Sequence, residues 1–178
     1  MSSNHPESDM SGAIPDIKSP VIVNNVLYNE DAVVGLWVHD QFATEGLDMV
    51  MEPGFVAFGI VDPSSTSTSL RERLIAGCYF FRHTDLPGKR DIWVCAAMTE
   101  AAMTHRAAIR QILAYPFTQL GLSRISAECD LTNLRLLRQL EILGFAQEGI
   151  KPHMDKSGRS FGYFGLYPQN CPFWSEGS

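Results

Sequence analysis

A short polar run, Thr104, His105 and Arg106, opens a predicted helix soon after an apolar strand. The first turn of any helix has backbone N–H groups without intrahelical acceptors, and the helix dipole adds partial positive charge there. His105 and Arg106 would contribute cationic contacts to an anion bound at this turn. The arrangement therefore predicts an anion-binding turn, and exposed first-turn residues without a ligand are the plain alternative.

The elements that must position this turn lie between residues 91 and 145. An apolar run over 92–97 predicts a strand, and the alternating run from Arg124 to Cys129 predicts another. A Leu-rich helix then begins at Asn133, which is either a ligand contact or a simple N-cap, and ends at Gly144 and Phe145. Strand, helix, strand and helix form a βαβα unit, an arrangement that usually offers a helix N-terminus to an anionic ligand.

The rest of the chain predicts strands on both sides of this unit. Turn residues at 86–89 and 155–158 indicate hairpins, so several strands must be antiparallel. We expect an α/β or α+β fold with a mixed, mostly antiparallel sheet of about six to seven strands, flanked by helices. The predicted segments are a strand over 21–25, a helix over 30–42, strands over 55–61 and 74–81, a helix from 104 that Pro116 shortens and Gly121 caps, and strands over 146–153 and 161–167.

Length, composition and charge restrict the class of protein. A chain of 178 residues with 45% hydrophobic and 19% charged residues is typical of one globular domain. We predict a flexible tail over residues 1–19, a single domain over 20–168 and a second tail over 169–178. The net charge of −6 argues against nucleic-acid binding. No run of about 18 apolar residues occurs, which argues against a membrane span.

The four cysteines, Cys78, Cys95, Cys129 and Cys171, form no C-x-x-C pair. Their spacing argues against a zinc site, and we predict no metal. Three of them lie in apolar, strand-like runs, where cysteine commonly acts as a small core residue. Reduced thiols of this kind favour a cytoplasmic location over a disulfide-linked secreted scaffold.

One group of short motifs resembles a known family. The matching pieces are Tyr115-Pro116-Phe117, Leu120-Gly121, Arg124, Asn133, Arg138, Glu141, Leu143-Gly144-Phe145 and Glu148-Gly149. They resemble the GCN5-related N-acetyltransferases, above all the ribosomal-protein-type enzymes and the small versions often carried by bacteriophages. The order of the predicted elements agrees as well, so the resemblance extends over residues 20–168.

This resemblance implies acetyl-CoA as the donor and an amine as the acceptor. The donor would lie between the strands at 92–97 and 124–129, with its pyrophosphate on the backbone amides of the loop over 102–107. For Arg138 a solvated helix face is the alternative to a ligand contact. The residues implied to bind acetyl-CoA are Ala97, Met98, Met103, Thr104, His105, Arg106, Ala107, Asn133 and Arg138.

The chain departs from the family at two positions. The phosphate loop of the family usually carries Q/R-x-x-G-x-G/A, whereas residues 102–107 keep the final small residue and have no glycine. Glycine permits close approach of the backbone to a ligand. Leu140 occupies a position where many members have the Tyr that protonates the leaving thiolate, so a bound water or another side chain would have to replace it.

An acetyl transfer to an amine needs a group that accepts a proton from it. Asp91, at the start of the first of the two strands, is the first candidate. The alternative is that Asp91 is only a turn residue beside Lys89 and Arg90. Glu128, on the polar face of the second strand, is the other candidate for this catalytic role. His39, His83 and Glu45 qualify by residue type alone.

Two functions of different classes fit these observations. The first is an acetyl-CoA-dependent N-acetyltransferase acting on a primary amine of a small molecule or a protein, with homodimerisation left open. The second is a non-catalytic binding or assembly module with the same fold, of the kind a phage particle would use. The second would be supported by an exposed face rich in Met and aromatic residues around 49–51 or 173–174.

Overall fold

The computed structural model of the protein describes residues 19–47, 51, 53–152 and 158–173. The elements in chain order are β1 Val21–Val23, β2 Val26–Tyr28, α1 Asp31–Thr44, β3 Val56–Val61, α2 Leu70–Arg73, β4 Leu74–Leu86, β5 Lys89–Met98, a 3₁₀ turn Ala101–Thr104, α3 Arg106–Thr118, β6 Arg124–Asp130, α4 Leu134–Leu143, β7 Ala146–Lys151, β8 Phe161–Leu166 and a 3₁₀ turn Pro168–Asn170.

All eight strands form one sheet in the order β1-β2-β3-β4-β5-β6-β8-β7. Every neighbouring pair is antiparallel except β5 and β6, which run parallel because α3 connects them. The predicted mixed, mostly antiparallel sheet with flanking helices is therefore confirmed, and it has eight strands.

The additional strand is β2, which directly follows the segment predicted as one strand over 21–25. Asn24 and Asn25 both have positive φ angles, 52° and 67°, so the chain reverses there and β1 pairs with β2. Two consecutive positive φ angles produce the tight turn that matches the twist of a hairpin, and asparagine tolerates them. Of the two hairpin turns predicted from sequence, the one at 86–89 joins β4 to β5. At the other one, residues 155–157 lie outside the described part of the chain.

Helices cover both faces of the sheet. Helix α1 packs on one face over β3 and β4, with Val34, Trp37 and Val38 buried. The approach is close, because a Cβ atom on Gly77 would lie 2.8 Å from Cγ2 of Val38. Helices α3 and α4 bury their apolar sides against the opposite face, which holds the larger core. No helix of the described residues is long and apolar enough to cross a membrane.

The C-terminal ends of α3 and α4 differ in how they agree with the sequence prediction. Pro116 lies in the last turn of α3, which ends at Thr118, and Gln119 rather than Gly121 is the C-cap residue. Helix α4 ends as predicted, because Gly144 adopts the left-handed conformation and Phe145 follows it into the core. The division of the chain at residue 168 stays a prediction, although Cys171 and Phe173 beyond it are buried in the main core.

Candidate functional site

The two parallel strands in the middle of the sheet separate after a short paired stretch. β5 and β6 pair at Asp91, Ile92 and Trp93, and no pair joins them beyond that point, although β5 continues to Met98 and β6 to Asp130. β4 still pairs with β5 as far as Met98. The backbone groups of β5 that face away from β4 are therefore available to a ligand, as at an edge strand.

The separation of β5 from β6 forms a groove between the two strands. This groove contains a cavity of about 90 Å³ that is lined by residues of β3 to β6 on the sheet and by residues of α3 and α4. An adjoining mouth shares Phe42, Ala96 and Leu136 with the cavity and is more polar. Most of the cavity is apolar; its lining residues are Phe42, Ile60, Cys78, Phe80, Val94, Cys95, Ala96, Ile109, Ile112, Leu113, Ala127, Glu128, Leu136, Leu140, Leu143 and Phe145.

Three of the residues that the family resemblance implied lie at this mouth: Ala97, Met98 and Asn133. The N-cap role of Asn133 is present, because its side-chain oxygen accepts a hydrogen bond from the Leu136 amide at 3.0 Å. Its Nδ2 atom also donates to Glu45 at the end of α1, at 2.9 Å. Asn133 therefore both caps α4 and lines the mouth of the groove.

The arginine of α4 that lines the mouth is Arg135, whereas the family resemblance implied Arg138. Arg138 is exposed and lies outside the lining of the groove in the described residues. Arg135, which our sequence analysis did not single out, lines the mouth and pairs with Glu45 at 2.8 Å. Since Glu45 and Arg135 are far apart in the chain, no local pattern could reveal the pair.

The turn over 102–107 leads from β5 into α3 and stands beside the groove rather than in its lining. Met103 packs against the main core, and the hydroxyl of Thr104 donates to the Ala101 carbonyl at 2.7 Å. His105 Nδ1 lies 3.5 Å from Nδ2 of Asn25. The guanidinium of Arg106 stacks 4.8 Å from the centre of the Phe173 ring, and Ala107 is exposed.

The missing glycine does not distort this turn. His105 has a φ angle of −86°, and no residue from 99 to 107 has a positive φ in the described structure. An L-residue therefore adopts the backbone of the turn without strain. The first amides of α3, those of Arg106, Ala107 and Ala108, have no acceptor within the helix and remain suited to an anion.

Asp91, the first general-base candidate, is not brought into the groove. It is 4% exposed and accepts a hydrogen bond from the Ser126 hydroxyl, whose Oγ atom lies 2.9 and 2.8 Å from the two carboxylate oxygens. Its carboxylate also pairs with Arg124 at 3.2 Å. Both oxygens thus have partners where β5 and β6 are still joined, and Asp91 is absent from the described lining of the groove.

Glu128, the second candidate, does line the groove. It lies on β6 beyond the last pair with β5, opposite Tyr163 on β8. Its carboxylate pairs with Lys151 Nζ at 3.3 Å. Among the other candidates, Glu45 is at the mouth, while His39 and His83 lie outside the described lining of the groove.

A thiol also faces the groove. Burial raises the pKa of Cys95 to about 12, and a hydrogen bond from Tyr79 opposes this rise only partly. Cys95 therefore stays protonated at neutral pH, and a protonated thiol is a poor nucleophile. None of the four cysteines forms a disulfide, and no cluster of three or more potential metal ligands occurs in the described residues.

Comparison with solved structures identifies the architecture. A ribosomal-protein-S5-alanine acetyltransferase from Vibrio fischeri superposes with a TM-score of 0.59 at 14% identity, covering 89% of this chain and all of the other. RimJ from Mycobacterium smegmatis, solved with CoA-disulfide, gives 0.58 at 14% identity, with coverage of 86% and 88%.

A spermidine N-acetyltransferase from Vibrio cholerae matches with a TM-score of 0.50 at 15% identity and covers 72% of each chain. The protein has the GCN5-related acetyltransferase fold. No family model matches the sequence, and no curated protein matches it. At these identities the similarity shows the fold alone.

Proposed function

We propose that the protein is an N-acetyltransferase that moves an acetyl group from acetyl-CoA to a primary amine. The observation that carries this proposal is the separation of β5 from β6 after Trp93, which leaves a groove with free strand edges. The groove is narrow and largely apolar, as a slender alkyl-amide chain such as pantetheine requires. Its mouth includes Ala97 and Met98 at the end of β5, the end that leads to the amides of α3.

The residues around the groove suit the parts of acetyl-CoA. Free backbone groups of β5 near Ala97 and Met98 would bond the amides of the pantetheine arm, as an added strand does. The first turn of α3, with Arg106 and His105 beside it, would hold the pyrophosphate. Asn133 and Arg135 lie at the polar mouth, where they would meet polar parts of the donor.

Acetyl-CoA supplies a thioester carbonyl, which the amine attacks with loss of the CoA thiol. We assign Glu128 as the group that accepts a proton when the bound ammonium becomes a neutral amine. The second proton of the nitrogen is lost after attack and ends on the departing sulfur, through water, because Leu140 carries no donor. The protonated state of Cys95 disfavours a covalent acetyl-cysteine and favours direct transfer.

Calorimetric titration with acetyl-CoA tests the donor site. The wild-type protein should bind with micromolar affinity, and Ala96→Trp, which fills the groove between β5 and β6, should abolish binding. Ala32→Trp on the exposed side of α1 is the matched control and should leave binding unchanged. Absence of binding to the wild-type protein at millimolar acetyl-CoA would overturn the proposal.

No observation favours the alternative of a non-catalytic module. Of the residues that would form its exposed face, Phe173 is buried and Met51 packs against the core under α1. Met49, Val50 and Trp174 lie outside the described residues. Assignment to the ribosomal-protein-type or phage-type branch rests on the sequence motifs alone, and the cytoplasmic location stays a prediction.

A further inference from the structure

Part of the sheet face on the α1 side carries polar and aromatic side chains. Helix α1 packs over β3, β4 and β5, and its main sheet contacts are with these three strands. The register of β6, β8 and β7 places Glu128 on β6 opposite Tyr163 on β8, and it places Lys151 on β7 diagonally across from Tyr163. The three side chains meet on that face, and Glu128 among them also lines the groove.

Together these side chains form a site for an ammonium group. Lys151 Nζ lies 4.2 Å from the centre of the Tyr163 ring and 3.3 Å from a Glu128 carboxylate oxygen. Trp93 meets the same Tyr163 ring edge to face, with centroids 6.0 Å apart. A carboxylate combined with an aromatic face binds a cation through charge and through the ring quadrupole.

The Lys151 ammonium that occupies this site can be replaced by the ammonium of a ligand. The side chains of Lys151 and Glu128 are 32% and 29% exposed, so water reaches both partners. An ion pair at this exposure is weak, because solvent screens it and holding a long side chain costs entropy. Another ammonium of similar size can therefore replace that of Lys151 at little cost.

The same carboxylate connects the ammonium site to the groove. Glu128 lines the cavity between β5 and β6, where the thioester of the proposed donor would lie. An amine held by Glu128 is thus next to the groove and in contact with the group that takes its proton. Lys151 presents this ammonium at the end of a flexible four-carbon chain, so an ammonium on a flexible aliphatic chain is the type of ligand that these contacts match.

We infer that the acceptor is a flexible aliphatic amine, bound as an ammonium by Glu128 and Tyr163 in the place that Lys151 now occupies. Lys151 is then a resident competitor that the acceptor displaces. This inference rests on the proposed function for its catalytic consequence, whereas the ammonium site itself is defined by contacts within this chain.

The test is a titration with 1,5-diaminopentane in the absence of acetyl-CoA, with 1-pentanol as the uncharged ligand control. Lys151→Met should bind the diamine at least threefold more tightly than wild type, because the competitor is gone. Glu128→Gln should weaken binding at least tenfold. Tyr163→Phe, which keeps the aromatic face, should bind within twofold of wild type. Lys89→Met, an exposed lysine on the β4–β5 hairpin, is the matched control and should behave as wild type.

Equal or weaker binding by Lys151→Met would overturn the inference, as would unchanged binding by Glu128→Gln or binding of 1-pentanol with the same affinity. A separate acetyl-CoA titration distinguishes the two failures. If acetyl-CoA binds and the diamine does not, the inference fails and the proposed function stands. If acetyl-CoA does not bind, the proposed function fails, and the diamine titration still decides the ammonium site.

Discussion

At the scale of single residues, Asp91 belongs to a structural network rather than to the groove. It bonds Ser126 and pairs with Arg124, which also pairs with Glu148, and Glu148 accepts a hydrogen bond from Tyr167 at 2.8 Å. This network joins β5, β6 and β7 to the end of β8. The Asp91 carboxylate is buried, so removing it leaves the buried Ser126 hydroxyl without its acceptor and leaves Arg124 with Glu148 as its remaining partner.

We predict that Asp91→Ala lowers the free energy of unfolding by about 3 kcal/mol, measured by urea denaturation. Asp85→Ala is the matched control, because its pair with Arg90 is of similar length, 3.1 Å, but exposed. Its cost should stay under about 1 kcal/mol. If Asp91→Asn were as stable as the wild type but had a much lower kcat, the result would contradict this structural role and indicate that Asp91 is the general base.

At the scale of elements, the end of α4 holds the C-terminal segment in place. Gly144 has a φ angle of +90°, and a Cβ atom there would overlap the Asn170 carbonyl oxygen and lie 2.8 Å from Cδ of Pro172. The segment that it touches contributes Cys171 and Phe173 to the core. A substitution at Gly144 should therefore disturb both the helix end and this packing.

Gly144→Ala should destabilise the protein by roughly 3 kcal/mol, because backbone strain and overpacking add. Gly46, which follows α1 with a φ angle of +71°, has nothing within 4 Å of its Cβ position. Gly46→Ala should therefore cost only about 1 kcal/mol, from strain alone. Thermal or urea denaturation of the two variants measures the difference, and equal costs would show that the contact with residues 170–172 contributes nothing.

At the scale of the whole molecule, the core of the sheet holds thiols that resist ionisation. Burial raises the pKa of Cys78 from 9.0 to about 12, and the neighbouring Cys95 reinforces this rise. The folded protein therefore keeps a proton that the unfolded chain loses above pH 9. The stability contribution of the buried thiol is complete below pH 9 and is lost as the pH rises toward 12.

We predict that the free energy of unfolding falls between pH 9 and pH 11, with Cys78 contributing up to about 1.4 kcal/mol per pH unit. Urea denaturation at a series of pH values measures this slope. Cys78→Ala should have lower stability at pH 8 and a shallower slope above pH 9. An identical slope in the variant and the wild type would contradict a buried, protonated thiol at this position.

Local patterns predicted most of the elements. The alternating and helical periodicities located β6 and α4, and the caps at Asn133 and Gly144 were readable because capping depends on residues within one helical turn. The hairpin at Asn24 and Asn25 was missed although its signal is local, since two consecutive asparagines favour positive φ angles.

The contacts of the site were decided by tertiary structure alone. Arg135 rather than Arg138 reaches the groove because of how α4 is rotated on the sheet, and Asp91 is buried because Ser126 and Arg124 face it across a strand pair. Lys151, Tyr163 and Glu128 meet only through the strand order β6-β8-β7. The sequence by itself determined the elements and their ends, because those depend on near neighbours. The groove and the ammonium site depend on strand register and separation, which only the assembled sheet establishes.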